Sequence, residues 1–220
     1  FGTKGEMASN LQGIGHAYSN QGDIEKSIDY LRQSLNLAEE FHSQEELIYI
    51  HWGLGAIYGY QNIDDDKAMG YCNRALNLAE ELNNKAAMRL PLLSIGIIYY
   101  HKGNYVKAAE YLGKSSVVQQ ELGYGDILNI WINTYLDLSY KKLGKEYEED
   151  EIHTLVKEAA FINEELNFRL YQLLEDTSYL DSAYSQVQEK ADKLESDVKA
   201  KFFSYKIPKT IVEEWEKNVN

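Results

Sequence analysis

Residues Ser27 to Glu40 read S-I-D-Y-L-R-Q-S-L-N-L-A-E-E, and Ala68 to Glu81 read A-M-G-Y-C-N-R-A-L-N-L-A-E-E. A looser copy, A-A-E-Y-L-G-K-S-S-V-V-Q-Q-E, fills Ala108 to Glu121. The copies begin at 27, 68 and 108, so the sequence repeats at intervals of 41 and 40 residues. A period of this size means stacked supersecondary units, each too small to bury its apolar face alone. Small and large residues alternate along each copy: Ser27, Leu31, Ser34; Ala68, Cys72, Ala75; Ala108, Leu112, Ser115. At helical spacing that alternation lets two antiparallel helices nest.

A second helix precedes each copy. It carries Leu11, Ile14, Gly15 and Tyr18 in the first unit, His51, Leu54, Gly55 and Tyr58 in the second, and Leu92, Ile95, Gly96 and Tyr99 in the third. These residues share one stripe of their helix. Glycine costs about 1 kcal/mol against alanine inside a helix, so its recurrence at one register implies a neighbour too close for a side chain. The two helices of a unit are joined by Gln21-Gly22-Asp23 or Lys102-Gly103-Asn104, where Asp23 and Asn104 are placed to cap the following helix. The second unit substitutes Asn62 and the acids Asp64, Asp65 and Asp66.

The pattern large-x-x-Leu-Gly-x-x-Tyr followed by Ala-x-x-x-large-x-x-Ala resembles the tetratricopeptide repeat. Three units match it well. That repeat is about 34 residues long, so the helices here are expected to be longer, by about 9 Å per pair at about 1.5 Å per residue. Long-helix versions resemble those in signalling scaffolds and in the C-terminal halves of large bacterial regulators. The resemblance implies an all-α fold, a right-handed superhelix (α-solenoid) of helical hairpins with a C-terminal capping helix.

The expected division is four repeats over residues 1–166 (about 6–42, 44–83, 85–123 and 124–166), a degenerate fifth hairpin over 167–195 and a cap over 196–220. The fourth unit keeps Leu136, Tyr140 and Gly144 but has Asp137 in place of the close-packing glycine, which predicts a looser crossing. Its second helix is read through Leu155, Ala159, Ala160 and Ile162. In the tail, Phe202, Phe203 and Tyr205 gather before Pro208, and Ile211, Val212 and Trp215 form a last amphipathic stretch; an array needs such an end cap. This closing segment resembles that of bacterial multidomain proteins in which such repeats follow cyclase, kinase or ATPase domains. Together with an opening at Phe1 that reads as a loop end, it suggests a piece of a longer regulator.

The formal charge of −13 and a pI near 4.8 disfavour nucleic acid and anionic membrane surfaces as partners. A basic or apolar protein segment is the easier guest. No apolar run approaches the roughly 20 residues a membrane span needs. A single cysteine, Cys72 on an apolar helix face, fits a reducing, cytoplasmic setting.

Catalysis finds no foothold. The five histidines are scattered without zinc spacing, Cys72 has no companion, and the glycines Gly13, Gly15 and Gly22 lack the ending of a phosphate loop. Asp64 to Asp66 lack the alternation of a calcium loop and read as helix-capping acids. No cofactor and no metal is expected, and the chain is read as a non-enzyme.

The resemblance further implies a concave groove lined by the first helices. Its register places Tyr49, Trp52, Tyr60, Leu93, Ile97, Tyr100, Trp131, Leu138, Lys141 and Lys142 on that face. A contiguous aromatic surface marks an interaction site, here for a peptide or partner helix, with Lys141 and Lys142 receiving acidic residues at one end. The alternative is that the chain's own last helices fold back into the groove. The clamp by which some family members hold chaperone C-termini is not expected, because its places carry Gln12, His16, Gly53, Leu90 and Ser94 instead of charged donors. Three roles stay open: a protein-interaction scaffold, a regulatory segment of a larger signalling enzyme, and a self-associating module.

Overall fold

The computed structural model describes residues 4–123, 127–147 and 149–219, which form helices and no strand. In chain order they are α1 (Lys4–Gln21), α2 (Ile24–Glu40), α3 (Gln44–Tyr60), α4 (Asp65–Glu81), α5 (Lys85–His101), α6 (Tyr105–Glu121), α7 (Ile127–Leu143), α8 (Glu149–Glu158), α9 (Glu164–Leu174), α10 (Thr177–Asp192), α11 (Ser196–Ser204) and α12 (Lys206–Val219). Each helix packs mainly on its sequence neighbours, with first helices also touching one another along the array, α1 on α3 and α3 on α5. The architecture is an α-solenoid.

The glycine stripe does what its register requires. A Cβ at Gly15 would lie 2.8 Å from Leu31 Cγ, and one at Gly96 would lie 2.7 Å from Leu112 Cγ. The paired helices therefore approach more closely than any side chain at these positions permits. The turns follow from local chemistry. Asp23, Asp64 and Asn104 accept the backbone N–H of Lys26, Lys67 and Lys107 at 3.2, 3.0 and 3.2 Å. Gly22, Asn62, Gly103 and Gly144 take φ values of 92°, 51°, 74° and 66°, the left-handed region that glycine and asparagine enter at least cost.

Apolar contacts run through the array in overlapping clusters. Leu31, Leu54, Cys72 and Ile95 belong to the first, Leu112, Tyr135, Ile152 and Leu170 to the second, and Phe168, Val187, Phe202 and Ile211 to the third. Cys72 is fully buried and burial pushes its thiol up to about 12, so it is a packing residue.

The regular pattern fails at the fourth pair. The helix read through Ile162 stops at Glu158, and residues 159–163 are irregular. α8 makes little contact with α7, which lies between α6 and α9 instead. Asp137 stands where a glycine would have allowed close approach, so the second helix cannot seat as α2 or α6 does, and the apolar face of α7 is covered by α9.

α9 through α12 then curve back across the array. Phe202 is 2% exposed and sits over Gly22, where a Cβ would come within 3.0 Å of its ring. Lys201 pairs with Glu25, and Tyr205 packs against the first apolar cluster. The expected cap thus covers the last hairpin and also reaches the turn between α1 and α2, joining the two ends of the array.

Candidate binding site on the concave face

The first helices α1, α3, α5 and α7 present one wall of a chamber, and α9 and α10 form the opposite wall. A cavity of about 270 Å³ lies between them, reached by Trp52, Ile57, Tyr60, Leu90, Leu93 and Trp131 from one side and by Glu164, Glu165 and Lys190 from the other. The aromatic wall is rigid. Trp52 Nε1 donates to Ser94 Oγ at 3.1 Å, and Tyr60 Oη lies 3.0 Å from the same oxygen. Tyr60 stacks on Trp131 with centroids 5.4 Å apart, and Trp131 stacks on Tyr135 at 6.0 Å.

The residues assigned to the groove divide into three groups. Trp52, Tyr60 and Trp131 line the chamber and are half-buried, while Tyr49 lies outside its lining and is exposed. Leu93, Ile97 and Leu138 are 2%, 0% and 1% exposed and offer little or no open surface. Leu93 reaches only the chamber floor; Ile97 and Leu138 are enclosed by the second cluster, to which α9 contributes Leu166, Leu170 and Leu173. Tyr100 is also buried, edge-on to Tyr135 at 5.2 Å. Lys141 is occupied by the chain itself: its Nζ donates to the carbonyls of Gln172 and Leu173 and to Glu175 at the end of α9. Lys142 is exposed, on a separate crevice of about 430 Å³ between α7 and α9.

α9 is the element that changes the groove. Every residue from Glu164 to Leu170 is buried, which for two glutamates and an arginine demands partners. Glu165 accepts the phenolic proton of Tyr135 at 2.7 Å, and Arg169 Nε donates to the same Tyr135 oxygen at 2.9 Å. The guanidinium lies 3.9 Å from Glu165 and within 3.1 Å of His101 Nε2, and it faces the rings of Tyr100 and Tyr135. Burial raises the Glu165 carboxyl from its ordinary 4.5 to about 7. Burial, helped by the Arg169 charge, holds His101 down to about 3, so the ring is neutral. His101 Nδ1 lies 3.2 Å from the carbonyl of Gly59 and donates to it, which leaves Nε2 to accept from Arg169.

Glu164, Glu165, Arg169 and Lys190 escape a reading by repeats because they belong to helices outside the periodic part. Asn163-Glu164-Glu165 has the form of an ordinary capped first turn, and Asn163 does accept the Leu166 N–H at 3.0 Å. The four-residue spacing of Glu165 and Arg169 is the only local sign that the two act together.

The chamber is thus apolar and aromatic on one wall and bounded on the other by Glu164, Glu165 and Lys190. Among the described residues no group of three histidines, cysteines or carboxylates is placed to hold a metal ion, and no helix is long and apolar enough to cross a membrane.

A tetratricopeptide repeat family model matches residues 8–41. Among solved structures, a Rap protein complexed with Competence and Sporulation Factor aligns with 99% of this chain and 67% of its own, with a TM-score of 0.66 and 15% identity. A signal transduction ATPase with numerous domains from Pyrococcus horikoshii, described as carrying a tetratricopeptide repeat sensor, aligns with 92% of this chain and 33% of its own, with a TM-score of 0.56 and 16% identity. At these identities the likeness is one of fold. No curated protein sequence matches significantly. Residues 8–41 thus match a tetratricopeptide repeat, and the helical array around them shares the fold of these two structures.

Proposed function

We propose that the chain is a non-catalytic interaction module whose concave chamber receives part of another polypeptide. The observation that carries this reading is the chamber itself: about 270 Å³ of largely apolar space on the face where first helices converge, with Trp52 and Trp131 fixed in place before any guest arrives. Preorganised aromatic surface lowers the ordering cost of association, so little area is needed for useful affinity. The chamber admits a side chain or two; a whole helix along the groove is blocked by α9.

Ile127 tests the reading, since it lines the chamber yet is 43% exposed, so that a charge there spares the core. Capture of partners by immobilised chain, from extract of its native source, is compared between wild type and Ile127→Asp. A partner retained by the wild type and lost by the variant is expected; equal retention refutes the chamber as the binding site.

A second reading, a sensory segment within a larger signalling protein, is favoured by how much longer the similar chains are. The present chain spans a third of the Pyrococcus horikoshii ATPase and two thirds of the Rap protein. The two readings are compatible, with the chamber as the sensing site.

A further inference from the structure

A residue of the chamber wall carries an unsatisfied acceptor. Glu164 is 6% exposed; one carboxylate oxygen pairs with Lys190 Nζ, and the other, Oε2, is buried with no hydrogen-bond donor among the described residues. A buried acceptor without a donor costs about 1–3 kcal/mol, more when charged. The pair also occupies a particular place. Glu164, Lys190 and Asn20 line both the inner chamber and a second cavity of about 570 Å³ between the end of α1 and α10. The inner space is walled by Trp52, Tyr60, Leu90 and Trp131, whereas the outer one is edged by Gln186, Glu189 and Lys193. The carboxylate therefore stands at the junction of the two spaces, the outer of which also carries Phe161 and Leu194.

We propose that the Glu164 site takes a primary ammonium group carried on an apolar body, such as the free N-terminus of a peptide that begins with a large apolar residue. The apolar body enters the inner chamber, whose volume exceeds the roughly 150 Å³ in which an engineered cavity holds benzene. On binding, the Glu164 side chain turns to offer Oε2 to the ammonium, so that the carboxylate bridges it and Lys190. The rest of the ligand lies in the outer cavity. The overall charge of −13 favours a cationic over an anionic guest. This inference rests on the chamber being a binding site and adds the chemistry of its ligand.

The test uses four probes at about pH 6, where an α-ammonium is charged: phenylalanine amide, N-acetylphenylalanine amide, the tripeptide amide Phe-Ala-Ala, and its N-acetyl form. Binding to the full chain is measured by calorimetry, for wild type and for Glu164→Gln, which keeps an oxygen for Lys190. Melting temperatures of the two proteins establish that the variant folds. The free-amine probes are expected to bind about tenfold or more tightly than their acetylated forms, and Glu164→Gln to remove that advantage while leaving the acetylated probes unchanged. Tighter binding of the tripeptide than of phenylalanine amide identifies a peptide N-terminus as the source of the ammonium; the reverse identifies a small amine. Acetylated probes that bind as well as free amines overturn the ammonium site but leave the chamber as a binding site. A Glu164→Gln variant that binds free amines like wild type, or no binding by any probe, overturns the proposal, and the Ile127→Asp comparison then decides on the chamber separately.

Discussion

Replacing Gly96 with alanine tests the close approach on which the array depends. The new methyl group would meet Leu112 Cγ at 2.7 Å, Leu112 Cδ2 at 3.0 Å and the Leu112 backbone nitrogen at 3.2 Å. Ordinary contact begins near 3.4 Å, so α5 and α6 must part by 3.4 − 2.7 = 0.7 Å. The side chain of Leu112 is itself fully buried and has nowhere to turn, and the backbone atom can yield only if the helix moves. Overpacking of this kind costs about 1–3 kcal/mol. Alanine also returns about 1 kcal/mol of helix propensity, so one variant alone gives an ambiguous sum. Gly113, on α6, supplies the reference, because a Cβ there meets nothing within 4 Å. Propensity is common to both substitutions, and their difference isolates the steric term of about 1–3 kcal/mol. At about 2–4 °C per kcal/mol for a chain of this size, Gly96→Ala should melt about 2–12 °C below Gly113→Ala, followed by far-ultraviolet circular dichroism. Gly113→Ala should itself melt at or above wild type. Equal shifts in the two variants would refute the claim that the glycine stripe exists for packing.

Phe202→Ala removes a buried ring from over Gly22 and should cost about 3 kcal/mol, with faster hydrogen exchange at the turn between α1 and α2 as the specific readout; unchanged exchange there would mean the ends are not joined. Glu165 is protonated more readily in the folded state than in the unfolded chain, so its contribution is present at low pH and is lost as pH rises from 4.5 through about 7. His101 and His51, held down to about 3 and 4, act in the opposite direction over part of that range, so the comparison is with Glu165→Gln, which should gain stability relative to wild type between pH 5 and about 8 in thermal melts. Trp52→Phe deletes the donor to Ser94 and should cost about 1 kcal/mol, while Trp52→Ala should weaken partner capture with the helical signal near wild type; collapse of that signal would make Trp52 a core residue.

The repeating part of this fold is legible because its constraints are local. Gly15, Gly55 and Gly96 recur at one register, and the caps Asp23, Asp64 and Asn104 follow from turn chemistry alone. The groove is only half legible for the opposite reason. Trp52, Tyr60 and Trp131, assigned to one face by family register, line one cavity, but what covers Ile97 and Leu138 is α9, a helix of another period whose approach depends on packing across the whole array. Asp137 signals a loosened crossing without saying what fills the gap. The burial of Glu164, Glu165 and Arg169 is a tertiary outcome: in sequence they are indistinguishable from surface charges on an amphipathic helix.

Contact between Phe202 and Gly22, 202 − 22 = 180 positions apart, alters how such a molecule comes together. An open row of repeats can nucleate anywhere and melt from its tips inward, because each unit answers only to its neighbours. Here the turn between α1 and α2 has no lid until α11 arrives, so seating α11 is a ring-closing event whose entropic demand grows with the length enclosed. During synthesis the hairpin of α1 and α2 must wait, partly uncovered, until Phe202 has been made.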